Sequence, residues 1–204
     1  KKNLELLTKN YVYSKEMEHD ACGVGLIAST EGKKSRAVVE HGIEALKAVW
    51  HRGAVDADGK TGDGAGIHVE IPKDFYIEKI QVTGHDYDNS EICVGMIFLP
   101  RNDYSAQESC KTIVESELTK NNFSIYGWRQ VPVNPKDLGE KALQTMPEII
   151  QVLFKSNDRK LHNKDLERKI YETRKKIENK ADNLSLNNFY VCSMSSKSII
   201  YKGM

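Results

Sequence analysis

The sequence predicts an α+β fold. Short apolar segments with strand character and longer segments with a helical apolar period are interspersed along its 204 residues. They do not follow the strict strand–helix–strand alternation of a doubly wound sheet. Composition agrees with a packed chain: 39% of residues are hydrophobic and 29% charged, polar for a globular protein but outside the disordered range.

Taken in order, residues 1–21 show no sustained period and read as a lead-in segment. ACGVGLIAS, 21–29, is short, apolar and glycine-spaced, which predicts a buried strand. From Ser35 to Trp50 apolar side chains fall at Val39, Ile43, Leu46 and Trp50, which predicts an amphipathic helix with Ser35 as N-cap. HRGAVDADGKTGDGAG, 51–66, is too dense in glycine and aspartate for helix or sheet and is assigned as a loop. Strand-like IHVEI, 67–71, follows, and Pro72 opens a short helix to about Lys79. A polar loop over 80–90 leads into EICVGMIFLP, an apolar strand stopped by Pro100. The stretch 104–120 reads as a solvent-facing helix, 124–133 as a strand, 136–145 as a helix and 148–155 as a strand. NKDLERKIYETRKKIENK, 163–180, is a charged helix with Leu166, Ile170 and Ile177 on one side and a solvated outer face. The last residues, from 189, form two strands around a tight Ser-Ser-Lys connection.

Charge and motif spacing exclude several classes. Thirty Lys and Arg against 29 Asp and Glu leave a net charge of +1, without the basic excess of proteins that bind nucleic acid or anionic membranes. No apolar run reaches the ~18–20 residues of a spanning helix, and the first residues lack the apolar region of a secretory signal, so a secreted or membrane protein is not expected. Cysteines at 22, 93, 110 and 192 form no C-x-x-C pair, and the six histidines show no metal-ligand spacing, so no metal site is predicted. Cys93, Cys110 and Cys192 sit in apolar surroundings and read as reduced, buried thiols.

The loop over 51–66 fails as a phosphate cradle, because five residues separate Gly53 from Gly59-Lys60-Thr61 where Walker A needs four. It fails as a calcium loop too, since Lys60 stands where a third ligand belongs after Asp56 and Asp58. Local chemistry alone leaves a structural loop or a ligand-binding one. Cys22 also has two readings. One is another buried strand cysteine. The other is a nucleophile: if the chain were cut between Ala21 and Cys22, the new α-amine, with a pKa of about 7.7–8.0, would lie on the same residue as a thiol of about 8.5. One residue would then hold nucleophile and base.

From Asp20 onward the chain resembles the amino-terminal amidotransferase domain of the glutamate synthase family. The resemblance rests on DACGVGLIA at 20–28, HRGAVDADGKTGDGAGI at 51–67, YGWRQVPVNPKDLGEKALQTMPEI at 126–149 and FYVCSMSSKSIIYKGM at 189–204. It implies an N-terminal-nucleophile (Ntn) hydrolase fold, an αββα sandwich, here truncated at its C-terminal side. It implies that residues 1–21 are propeptide-like and that 22–204 are the amino-terminal part of a class II glutamine amidotransferase domain. Cys22 matches the family's nucleophile, acting on glutamine through a thioester and releasing ammonia. Arg52 matches the arginine of the family's HRG motif and is expected to organise the site, or to pin the loop by pairing with Asp58 or Asp63. Gly23, Gly53, Asp63 and Gly64 are expected to shape the pocket.

The resemblance also implies a larger parent. In that parent ammonia reaches 2-oxoglutarate, and the resulting imine is reduced at FMN with electrons passed through iron–sulfur clusters from NAD(P)H or ferredoxin. None of these cofactors is expected within the 204 residues, and the partners are glutamine and the remaining domains of the same polypeptide. A cytoplasmic or plastid-like location follows. In the family, the arginine that clamps the glutamine carboxylate and the Asn-Gly oxyanion donors lie beyond the YKGM stretch, so little glutaminase activity is expected of the chain alone. While the Ala21–Cys22 bond is intact the chain is expected to be precursor-like, and Lys1 fits a piece cut from a longer protein. A non-catalytic interaction module that keeps the fold is the alternative.

Overall fold

The computed structural model of the chain describes residues 9, 23–50 and 53–203. They fall into two compact units, one up to Ala54 and one from Val55 onward. The expected propeptide-like lead-in (Lys9 apart), Cys22 and Arg52 lie outside the described residues.

The first unit holds helix α1, Arg36–Ala48. Ser35 caps it as expected: its extended backbone lets Oγ accept from the Val38 N–H at 3.4 Å, which satisfies one of the orphan donors of the first turn. The helix ends at Ala48 with Val49 as C-cap, so Trp50 falls beyond the apolar stripe assigned to it and is exposed. The strand expected over 21–29 is not formed at its described positions. Residues 23–29 have no regular structure, and Val24 and Leu26 are 94% and 90% exposed. A strand needs a neighbour for its N–H and C=O groups, and among the described residues none pairs with this segment.

The second unit contains β1 (Ala65–Glu70), α2 (Lys73–Val82), β2 (Cys93–Leu99), α3 (Tyr104–Lys120), β3 (Phe123–Gln130), a 3-10 turn (Pro135–Asp137), α4 (Glu140–Thr145), β4 (Glu148–Ser156), α5 (Asn163–Asn183), β5 (Tyr190–Ser195) and β6 (Ser198–Gly203). Strands β3-β4-β2-β5 form a four-stranded antiparallel sheet, and β1 pairs with β6 in a second, two-stranded one. The chain is therefore α+β, as the interspersed periods predict.

Both faces of the larger sheet are covered, which is why β2 and β4 read as continuous apolar runs. Cys93, Ile97 and Leu99 of β2 pack with α3 and α5 through Val114, Leu118, Leu166 and Ile170. The alternate residues Val94 and Met96 pack on the opposite face with Tyr76 and Ile80 of α2 and Ile199 of β6. The layers are thus a helix pair, the four-stranded sheet, and then α2 with the β1–β6 ribbon.

A further expectation needs correction. Helix α3 is not solvent-facing. Cys110, Ile113, Val114, Glu117 and Leu118 are buried, spaced along one face of the helix. Glu117 tolerates burial because Lys180 of α5 donates to its Oε1 at 2.9 Å. The two terminal strands form around a tight connection, as expected: β5 closes the edge of the larger sheet while β6 crosses to β1. Glu167 of α5 holds this corner, accepting from Ser195 Oγ at 2.9 Å, Ser196 N at 2.7 Å and Ser196 Oγ at 2.8 Å.

The YGWR stretch is explained by β3. The β3–β4 register shifts between Ile125 and Gly127, and Gly127 adopts φ 146, a conformation that disfavours any side chain. A Cβ there would also stand 2.8 Å from Thr83 Cγ2. The bulge turns the Tyr126 hydroxyl to Asp88 at 3.0 Å, while Trp128 Nε1 donates to Glu115 of α3 at 2.7 Å.

Candidate active site

Because the strands run antiparallel, the start of β1, the end of β2, the start of β5 and the end of β6 gather at one end of the second unit. They open there onto a cavity of about 1170 Å³. Its lining includes Asp63, Gly64 and Gly66 from the loop and the start of β1, and Leu138, Ala142 and Thr145 from α4 and the residues before it. Apolar side chains such as Phe98 and Ile200 line its depth, and Arg101 and Lys202 supply positive charge at its border. Lys202 Nζ is held by Tyr190, donating to its hydroxyl at 2.8 Å.

The glycine- and aspartate-rich loop reaches this cavity as a compact turn. Val55 bridges Gly62, Asp56 N donates to Thr61 O at 2.8 Å, and Gly59 takes φ 68 to close the reversal. Asp58 fixes the turn: Oδ1 accepts from Lys60 N at 2.9 Å and Thr61 N at 2.7 Å, and Oδ2 accepts from Thr61 Oγ1 at 2.5 Å. The hydrogen bonds from the Thr61 hydroxyl and from the Thr61 and Lys60 amides hold the Asp58 carboxyl down to about 2. Lys141 Nζ donates to Asp56 Oδ2 at 2.5 Å and lowers that carboxyl too. The loop and α4, distant in sequence, are therefore tied side by side.

Of the residues singled out from the sequence, Asp63 and Gly64 border the cavity, and Gly64 is required by its backbone, with φ 85. Gly53 donates its N–H to Trp50 O at 3.0 Å in the first unit. Gly23 meets only ordinary van der Waals contact, a Cβ there lying 3.7 Å from Val49, so its neighbours in the chain do not demand glycine. Cys22 and Arg52, and with them the expected pairing of Arg52 with Asp58 or Asp63, lie outside the described residues. Sequence reasoning passed over Gly139 and Lys141, and considered Asp58 only as a calcium ligand or a partner for Arg52. A Cβ on Gly139 would overlap Thr61 Oγ1 and Asp58 Oδ2, and only the Asp58–Thr61 spacing of a side-chain-capped turn hinted at this contact.

The other cysteines are free and buried, as expected. Burial pushes the Cys93 thiol far up, Cys110 up to about 11, and Cys192 upward, so none supplies a thiolate near neutral pH. Among the described residues no group of three or more His, Cys, Asp or Glu could hold a metal ion. Cys93 and Cys110 lie in one core and Cys192 in the other, so these side chains do not fit an iron–sulfur cluster. No described helix is long and apolar enough to cross a membrane.

An α+β unit whose motif loop borders an end-on cavity defines a candidate small-molecule site, and comparison with known proteins identifies its class. The profile of the glutamine amidotransferases class-II matches residues 22–204, and the chain belongs to that family. It is 52% identical over 202 residues to the glutamate synthase [NADPH] large chain of Azospirillum brasilense, covering 99% of this chain and 13% of that protein. It is 38% identical over 195 residues to the chloroplastic ferredoxin-dependent glutamate synthase of Spinacia oleracea, covering 92% of this chain and 12% of the relative. The Arabidopsis thaliana ferredoxin-dependent glutamate synthase 1, chloroplastic/mitochondrial, is 39% identical over 194 residues, with the same coverage of 92% and 12%. The chain thus spans about an eighth of the length of these relatives.

Proposed function

We propose that the chain is the nucleophile-bearing part of the glutaminase of a glutamate synthase, and that Cys22 carries the chemistry once the Ala21–Cys22 bond is cut. The observation that carries this reading is the family match, which starts on Cys22 itself. The raised thiols of the other three cysteines support it. In the reaction the freed α-amine takes the thiol proton as Cys22 Sγ attacks the side-chain amide carbon of glutamine. The C–N bond breaks, the proton leaves with ammonia, and a thioester remains. Water cleaves the thioester to glutamate and restores the thiol.

Under this reading residues 1–21 are a propeptide and the helix–sheet–ribbon layering is part of an Ntn sandwich, with β1 and β6 belonging to its second sheet. Arg52 and Gly53 organise the site, Gly23 leaves room for the glutamyl group, and Asp63 and Gly64 border the glutamine pocket. Ammonia serves reductive amination of 2-oxoglutarate elsewhere in the parent polypeptide. The FMN, the iron–sulfur clusters and the site for NAD(P)H or ferredoxin lie there too. The parent works in the cytoplasm or a plastid. In the complete polypeptide carrying this chain, mass analysis is expected to find Cys22 as the first residue, and Cys22→Ala to abolish glutamine hydrolysis. Retention of hydrolysis by Cys22→Ala would overturn the reading.

A further inference from the structure

We propose that Asp58 is a positioning residue for the glutamine reaction: it clamps the loop over 55–64 against the start of α4 and so sets the distance between two walls of the end-on cavity. This rests on the reading that Asp63 and Gly64 border the glutamine pocket. Asp58 uses its two oxygens for different tasks. Oδ1 serves the loop's own turn through Lys60 N and Thr61 N, while Oδ2, with Thr61 Oγ1, faces Gly139 across the gap to α4. Gly139 has no Cβ where one would overlap that pair, so the approach is closer than any other residue permits. Lys141 reinforces it through Asp56 at 2.5 Å.

The clamp joins the two walls directly. Five residues after Asp58 the same loop presents Asp63 to the cavity, and Leu138, just before Gly139, lines the same cavity. A carboxylate also does here what an amide cannot. Asp58→Asn keeps an oxygen for the turn but turns an NH2 group toward Gly139, the N-cap of α4, where the backbone N–H groups of the helix's first turn are donors as well. The loop stays folded while its tie to α4 is lost. Small displacements of pocket walls act on substrate placement first.

The test uses the complete polypeptide and glutamine-dependent turnover, with Cys22→Ala as the separate control on the underlying reading. Asp58→Asn is expected to raise the KM for glutamine about tenfold with kcat within about threefold of the parent. Gly139→Ala, which pushes the walls apart from the other side, is expected to do the same. The double variant is expected to be no worse than either one, since both break one contact. Asp58→Glu, a longer carboxylate, is expected to recover part of the loss. Unchanged KM in both single variants, or a fall in kcat at constant KM, overturns the proposal even where Cys22→Ala is inactive. Should Asp58→Asn fail to fold, the Gly139→Ala result decides alone.

Discussion

At the residue scale, the loop that local composition left open between structure and binding has a physical organiser in Asp58. Its carboxyl lies at about 2 against an ordinary 3.8, because the Thr61 hydroxyl and the Thr61 and Lys60 amides donate to the charged form. The sign follows directly. A carboxyl held down in the folded state stabilises the fold fully above about 3.8 and loses that contribution as pH falls through about 2. The amide resonances of Lys60 and Thr61 are therefore expected to titrate with a midpoint near 2, and a midpoint near 3.8 would show that the hydrogen bonds are absent. The tie to Gly139 could not be read from the sequence, since it joins segments far apart in the chain. Cys22 and Arg52 stood out through motif order, whereas Asp58 entered only as a calcium ligand or a partner for Arg52.

At the element scale, legibility followed the pattern of burial. Strand β2 was plain because both its faces are covered and its residues are almost all apolar. Helix α3 was misjudged because polar residues share its buried stripe. Gln107 is buried by donating to Pro100 O at 2.8 Å and Arg101 O at 3.1 Å, and Glu117 by Lys180. Such partners come from other elements, which periodicity does not see. The same limit hid the sheet change between β5 and β6. Within the larger sheet, Gly95 is a sharp constraint: a Cβ there would stand 2.7 Å from Val152 Cγ1 on β4 and 3.2 Å from Met194 Cε on β5. Gly95→Ala is expected to cost about 1–3 kcal/mol of stability in chemical unfolding. Adding Val152→Ala, which removes the nearest methyl, is expected to give a double variant less destabilised than the two single costs summed. Strict additivity would mean that the strands separate to admit the methyl.

At the scale of the whole second unit, the question is what holds a two-stranded ribbon against the larger sheet, since an isolated pair of strands is marginal in water. Apolar packing of Ile199 on the β2 face supplies part of the answer. The rest is polar: Ile200 N of β6 donates to Ser193 Oγ of β5 at 3.2 Å, and a wider network centres on Gln151, fully buried in β4. Its Oε1 accepts from Tyr76 of α2 at 3.1 Å and from Arg129 of β3 at 2.8 Å, and its Nε2 donates to Tyr201 of β6 at 3.3 Å. One side chain thus links the sheet, the covering helix and the ribbon, and it lies only on the face away from α3 and α5. Gln151→Leu is expected to destabilise by about 1–3 kcal/mol, the cost of leaving buried polar partners unmatched. The loss should be directional. Hydrogen exchange is expected to accelerate in β1, β6 and α2 while α3 and α5 keep their protection, because the helix pair rests on the other apolar core. Uniform acceleration across both faces would show instead that the layers unfold as one cooperative body. The ribbon carries the Gly66, Ile200 and Lys202 positions of the end-on cavity, so a loosened ribbon would also loosen that wall of the candidate site.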